Sequence, residues 1–319
     1  MLEYIKANKS LFSALHELLG EELDEFLSYI TSHKIRPYIR ANTLKISPKD
    51  LKRRLESKGF ILRDTVLDYA FKVEYYPSEL GKTLEHFLGY YYVQDLASML
   101  PAQILNPRKH SFVLDIASAP GSKTTLLSSL MENTGFILAN DYSMERTKAT
   151  VNNVERLGCL NVAISIHKGE KLVRFYRNFF DYALVDAPCT SLGTLHKNPE
   201  VVKWWSPKEV KEMAKIQLKL LISAFEMLKD GGEMVYSTCT LTYEENEEVV
   251  ERFVILTGAK VEEIKLGIGE VEGGIKGTVR LYPHRTETEG FFVAKFKKFK
   301  AYDGNLRTYP ILQKDMPIL

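Results

Sequence analysis

The stretch FVLDIASAPGSKTTLLSSLM, Phe112 to Met131, carries the clearest architectural signal in the chain. It opens with a short apolar run of the kind that a strand buried on both faces needs, and it ends as a helix. Between them SAPGSK turns tightly at Pro120 and Gly121. Strand, turn and helix make one unit of a parallel sheet, and the alternation recurs downstream. GFILAND (135–141) is followed by the helical SMERTKATVNNVERLG (143–158), and NVAISIH, FDYALVDA and EMVYSTC are further apolar runs. Ser206 to Lys229 reads as a long helix with Ser206 as cap and Pro207 first. Its face carries Val210, Met213, Ala214, Leu221, Ala224, Phe225 and Leu228, and Gly231 and Gly232 are expected to stop it. The fold class is α/β with a mostly parallel sheet covered on both faces. Such sheets bind ligands beyond the carboxyl ends of their strands. Asp115 to Lys123, Asn140 with Asp141, Asp186 to Cys189, and Ser237 to Cys239 are therefore expected to converge on one rim.

Upstream the pattern differs. Residues 10 to 30 read as an amphipathic helical region, RPYIRANTLKI (36–46) as a strand, and SPKDLKRRLESKGF (47–60) as a helix capped by Ser47, with Pro48 first, Asp50 in the first turn and Gly59 at its end. This makes a small basic α+β unit. Residues 1–33 hold two Lys against six acidic residues, whereas residues 34–63 hold ten Lys and Arg against two, a local charge of +8. A patch of this kind suits a polyanion, although a charge run is more often a solvated helix face.

The whole chain, 319 residues with 45% hydrophobic and 26% charged, is long enough for two domains and has a globular balance. MLEYIKANKS has no apolar core for a signal peptide, and no apolar run approaches a membrane span, so a cytoplasmic location is expected. Cys159, Cys189 and Cys239 share no CxxC spacing, and the seven histidines lack zinc spacing, so neither a disulfide framework nor a metal site is expected.

Gly121 in APGSK lets a ligand approach the backbone before a helix N-terminus, which suits a nucleotide or a carboxylate. The turn fits neither the Walker pattern nor GxGxxG, and by itself it is compatible with any strand-to-helix connection. Asp141 ends the second strand, where an acidic residue either holds a ribose or caps the next helix. DAPC presents Asp186 and Cys189 from one strand end, and STC presents Cys239 from another. A lone cysteine is by default a small buried hydrophobe, and Cys159 is read so. Two cysteines at separate strand ends point instead to reactive thiols in polar loops. His284 is read as packing or as support for an RNA contact.

RANTLK, YYVQDLASMLPA, VLDIASAPGSKTT, DAPCTSLGTLHKNPEVVKWW, IQLKLLISAFEMLKDGGEMVYSTCTLTYEENEEVV and RLYPHRTETEGFFVAKF resemble, in order, the blocks of the RsmB/NOP2/Sun family of RNA cytosine-5 methyltransferases. The resemblance spans about residues 40 to 297, and DAPC followed by STC is its most specific element. It implies a Rossmann-like, seven-stranded S-adenosylmethionine-dependent methyltransferase domain with a small N-terminal α+β RNA-binding domain. The implied division is 1–85, 86–300 and a tail of 301–319.

The resemblance further implies that Ala117, Ser118, Ala119, Pro120, Gly121, Ser122 and Lys123 wrap the methionine end and sugar of S-adenosylmethionine. Asp141 would hold the ribose with Arg146 nearby. Asp186 and Lys123 would face the target cytosine, Cys239 would be the nucleophile and Cys189 would assist release. Ser122 stands where the family usually has Gly. At the end of the third strand, where the family commonly places an Asp near the adenine, this chain has Lys168, with Glu170 two residues on. The expected partner is tRNA or rRNA, with no membrane and a monomeric chain, and the N-terminal domain and the tail after Phe299 would supply specificity. Two alternatives are a catalytically weak RNA-binding or ribosome-assembly factor on the same fold, and methylation of DNA or of another base, in which Cys239→Ala stays active.

Overall fold

The structure, a computed structural model, describes residues 1–32 and 36–299. The tail 301–319 expected to contribute specificity lies outside the described residues.

The chain begins with α1 (Leu2–Ala7), α2 (Lys9–Leu19) and α3 (Leu23–Ser32). Gly20, at φ +52, breaks the helical region between α2 and α3. Leu11, Leu15, Phe26 and Ile30 on these helices pack on Leu192, Leu195, Val201 and Trp205, far along the chain. A four-stranded antiparallel sheet follows, built from β1 (Tyr38–Ala41), β2 (Ile61–Asp64), β3 (Ala70–Tyr75) and β4 (Tyr91–Val93) in the order β2-β3-β1-β4. The helix α4 (Pro48–Glu56) lies between β1 and β2; the Ser47 side chain accepts from Asp50 N, so the expected cap forms. A short α5 (Leu84–Phe87) precedes β4.

Then come α6 (Leu96–Leu105), β5 (Phe112–Asp115), α7 (Ser122–Leu130), β6 (Phe136–Asp141), α8 (Met144–Leu157), β7 (Val162–Ile166), α9 (Val173–Tyr176) and β8 (Phe180–Asp186). The rest is α10 (Val201–Trp204), α11 (Pro207–Met227), β9 (Leu228–Thr238), α12 (Glu247–Thr257), β10 (Lys260–Glu262), β11 (Val271–Glu272), β12 (Val279–Leu281), α13 (Pro283–Thr286) and β13 (Phe291–Lys297). The large sheet runs β11-β12-β13-β9-β8-β5-β6-β7, with β10 paired to β13. β7, β6, β5, β8 and β9 are parallel and β13 is antiparallel to β9. Setting aside the short β10 and β11, seven strands remain, the expected methyltransferase sheet. The long helix ends at Met227, earlier than Gly231 and Gly232 suggested, because Leu228 already pairs with Phe180.

Alternation along each strand loads both faces. Leu114, Ala183 and Val185 join Leu221 and Ala224 of α11 and Phe253 of α12 in one core. Val113, Ile137, Leu184 and Val235 join Leu100 of α6 and Leu126 and Leu127 of α7 in the other. With both faces packed, the polar strand ends are left at the rims.

No helix among the described residues is long and apolar enough to cross a membrane. Among the described residues, much of the basic segment is paired. Lys52 pairs with Asp64, Arg53 with Asp50, Arg54 and Lys58 with Glu85, and Arg63 with Glu74 and Glu287. Arg40 is buried and donates to Thr125 Oγ1 at 2.9 Å, and Lys45 donates to the Leu88 and Arg156 carbonyls.

Candidate active site

The four strand-end clusters meet at one rim. After β5 the chain turns through Ala117 to Gly121 into α7. Gly121 is the helix N-cap with φ +93, and a Cβ there would lie 3.1 Å from Thr150 Cγ2 and 3.2 Å from Thr150 Cα. Only glycine takes that backbone without strain. No side chain caps α7, so the N–H groups of its first turn point out of the loop unclaimed by a cap. Ser118 Oγ and Asp115 Oδ1 are buried without a hydrogen-bond partner.

At the next strand end, Asp141 is buried. Its Oδ1 accepts from Ser143 N at 2.9 Å and its Oδ2 from Ala119 N at 3.3 Å, so it is both a helix-start acceptor and a strut for the loop. Arg146 closes the arrangement, with Nη1 3.6 Å from Asp141 Oδ2 and Nη2 donating to Ala119 O at 2.9 Å. Ser122 is half-buried, and its carbonyl lies 3.4 Å from Arg40 Nη2. Pro120 is exposed, and its carbonyl accepts from Asn153 Nδ2. Lys168 and Glu170 are exposed beyond β7, around the turn Gly169–Lys171, and neither has a described side-chain partner.

The first turn of α7 sends Lys123 inward. Its Nζ donates to Asp186 Oδ2 at 2.7 Å and to Ser98 Oγ at 2.9 Å, and lies 5.4 Å from the Phe291 ring centroid. Burial pulls the ammonium's pKa down, but the Asp186 carboxylate outweighs it and the net direction is up, so Lys123 stays charged. Ser237 Oγ donates to Asp186 Oδ1 at 2.7 Å. The carboxylate is thus held in one orientation by a cation on one oxygen and a hydroxyl on the other.

Three residues beyond Asp186, Cys189 Sγ lies 3.2 Å from Cys239 Sγ. Cys189's pKa is raised well above the ordinary thiol value, first by its hydrogen bond with Cys239 and then by burial. Ser191, at φ +56, places its Oγ 3.6 Å from Cys239 Sγ. Gly193 N donates to Cys239 O at 2.9 Å, and a Cβ on Gly193 would lie 2.1 Å from Gly290 O, so this contact between loops admits only glycine. Lys197 bridges Asp95 at 3.4 Å and Glu289 at 2.6 Å along the border.

Cys159 is buried against Val154 and Leu157, away from the other two thiols. His284 packs inside, its Nε2 2.8 Å from Glu22 Oε2. Sequence reasoning placed Ser237 on the rim without assigning it a role, and passed over Ser98 and Glu245. Ser237 stood beside Cys239 in YSTC, whereas Ser98 and Glu245 sit in runs that resemble any helix start or acidic surface loop.

The family model described as 16S rRNA methyltransferase RsmB/F matches residues 102–297, and the model of the N-terminal domain of 16S rRNA methyltransferase RsmF matches residues 8–96. The chain is 37% identical over 309 residues to the tRNA (cytosine(49)-C(5))-methyltransferase of Pyrococcus abyssi, covering 93% of this chain and 98% of that one. It is 36% identical over 326 residues to ribosomal RNA small subunit methyltransferase F of Shewanella loihica, covering 98% and 67%. The crystal structure of NSun6 from Pyrococcus horikoshii with SFG superposes with a TM-score of 0.84 at 28% identity, over 92% of this chain and 98% of that one. The chain belongs to the RsmB/F family and is an RNA cytosine methyltransferase.

Proposed function

We propose that the chain methylates C5 of a cytosine in tRNA or rRNA, with Cys239 forming a covalent bond to C6 and S-adenosylmethionine as methyl donor. The observation that carries this reading is the thiol pair 3.2 Å apart at the rim where Lys123 and Asp186 form an ion pair at 2.7 Å.

The loop fits the cofactor by the chemistry of its donors. The uncapped start of α7 and the orphaned Ser118 hydroxyl suit a carboxylate or a sugar, and Gly121 keeps the approach open. In this reading Ala117 to Lys123 hold the methionine end and sugar, with Asp141 and Arg146 bracing the loop as well as flanking the ribose. The exposed Lys168 leaves the adenine end without the usual acid. When bound, S-adenosylmethionine supplies an electrophilic methyl group on a sulfonium.

C5 of cytosine is too weak a nucleophile for that methyl until the ring is activated. The Cys239 thiolate adds to C6 as N3 takes the Lys123 proton relayed through Asp186, which Lys123 and Ser237 hold in place, and the proton returns by the same route when Cys239 leaves. The electron pair released at C5 is then nucleophilic. Once C5 carries the methyl, its proton passes to Cys189, the C5–C6 double bond re-forms and Cys239 leaves as thiolate. Cys239 is the largest cause of the high Cys189 pKa, and bonding Cys239 to carbon removes that cause. Cys189 then becomes available as a base at the stage that needs one. The target base must leave its stack, at a cost of a few kcal/mol that is least in loops and single strands.

Expressing Cys189→Ala in cells and denaturing the lysate tests this. Protein covalently bound to RNA is expected, and the bond is expected to vanish in Cys189→Ala/Cys239→Ala. Sequencing the attached RNA names the target. A Cys239→Ala enzyme that still methylates would overturn the covalent route. Binding of S-adenosylmethionine in the micromolar range would exclude the reading as a catalytically weak assembly factor.

A further inference from the structure

Glu245 is a buried carboxylate with no cation beside it. Among the described residues no Lys, Arg or His pairs with it, and burial leads the causes that raise its pKa. An anion in such a place is costly unless its oxygens are satisfied, and here four donors satisfy them. Oε1 accepts from Thr190 N at 2.9 Å and from Gln217 Nε2 at 3.0 Å. Oε2 accepts from Thr190 Oγ1 at 2.5 Å and from Thr242 Oγ1 at 2.8 Å.

The donors come from both thiol loops. Thr190 follows Cys189, and Thr242 lies three residues after Cys239. Thr240, which follows Cys239, lies with its hydroxyl 2.9 Å from that of Thr190. Gln217 of α11 also donates to Pro188 O, the residue before Cys189, at 2.9 Å. The Tyr236 hydroxyl donates to the Glu245 backbone carbonyl, tying the same residue to β9.

The geometry points to Glu245 as the positioning residue of the thiol pair, its buried carboxylate tying the loop that carries Cys189 to the loop that carries Cys239. This rests on the covalent reading for its use in the reaction, though not for its test. Pairing of β8 with β9 continues to Ala187 N on Ser237 O, and Gly193 N donates to Cys239 O. The shared carboxylate adds the tie between the residues that flank the two thiols. Its charge also acts on Cys189, alongside Cys239 and with Tyr236 facing from β9; Asp186 and Lys123 stand further along the rim.

Two variants of the full chain, without RNA or cofactor, separate the tie from the charge. In Glu245→Gln the amide oxygen can face the Thr190 N–H and the Gln217 amide, and its NH2 can face the two hydroxyls, which accept as well as donate. The framework is kept and the charge is lost. Iodoacetamide labelling resolved by peptide mass across pH is expected to show Cys189 reacting at a lower pH than in the native chain, with a gain in rate at fixed pH, because one of the charges that raise its pKa is gone. Thr190→Val keeps the carboxylate and the backbone bond but removes one hydroxyl donor and the contact to Thr240. Phenylarsine oxide, whose arsenic bonds to two adjacent thiols with loss of one water, is expected to wash out with mercaptoethanol about ten-fold faster than from the native chain.

The proposal fails if Cys189 titrates in Glu245→Gln as in the native chain, or if Thr190→Val holds the arsenical as tightly as the native chain. Should Glu245→Gln not fold, the near-isosteric Thr190→Val still decides. Neither readout needs methyl transfer. Failure here would leave the methyltransferase reading in place, and both results as expected with no RNA adduct in Cys189→Ala would sink the covalent route alone.

Discussion

Asp115 ends β5 buried, with Thr124 Oγ1 donating to one oxygen at 2.7 Å and the other oxygen without a partner. Burial pushes its pKa up to about 7, from an ordinary value of 3.8. A carboxyl raised in the folded state favours folding most where it is protonated. Its contribution is fully present below pH 4 and is lost as pH rises through 7. Asp115→Asn is expected to flatten the dependence of melting temperature on pH over this window, which calorimetry across a pH series would detect. An unchanged slope would mean that the carboxyl titrates normally. The sequence showed Asp115 as a strand-end acid. It did not show that one oxygen would lack a partner, because that depends on what the loop at Ser118 and the start of α7 leave open.

At the scale of elements, a buried ion pair joins α12 to β12. The Arg280 guanidinium donates to both oxygens of Glu247, and its Nη1 donates to Leu241 O at 2.6 Å, two residues after Cys239. Removing one partner leaves a charge buried alone, so Arg280→Met is expected to cost roughly 3 to 5 kcal/mol of unfolding free energy. Urea titration of the variant would measure it, and a loss below about 1 kcal/mol would mean that water reaches Glu247. The helices themselves were legible where capping is local. Ser47 and Ser206 cap α4 and α11 as read, since the acceptor lies three residues from its donor. The end of α11 was misjudged because pairing of Leu228 with Phe180, 48 residues earlier, outweighs the glycine signal at 231 and 232.

At the scale of the molecule, Glu22 between α2 and α3 holds α13 through Arg285 and His284, at 2.5 Å and 2.8 Å. The Arg285 hydrogen bonds, then that of His284, lower its pKa to about 2 from 4.5. A depressed carboxyl contributes stability above pH 4.5 and loses it as pH falls toward 2. Glu22→Gln is therefore expected to lower the melting temperature at pH 7 and to leave it unchanged near pH 2. The carboxylate is partly exposed, so solvent screening keeps the effect modest. Equal losses at both pH values would assign the effect to packing rather than charge.

Periodicity and turn residues were enough to place the alternation of strand and helix, the tight turn at Gly121, and the rim on which Lys123, Asp141, Asp186, Cys189 and Cys239 stand. Each of these follows from periodicity, from a backbone angle, or from the rule that strand ends face the ligand. How charge is distributed emerges only in the folded chain. Lys52, Arg54, Lys58 and Arg63 of the +8 segment pair with Asp64, Glu74, Glu85 and Glu287, and a carboxylate in the acidic run YEENEE became the tie beneath two thiols. The reason is distance along the chain. A cap or a turn is complete within four residues, whereas an ion pair or a buried acceptor finds its donors tens to hundreds of residues away, and no local pattern records where they lie.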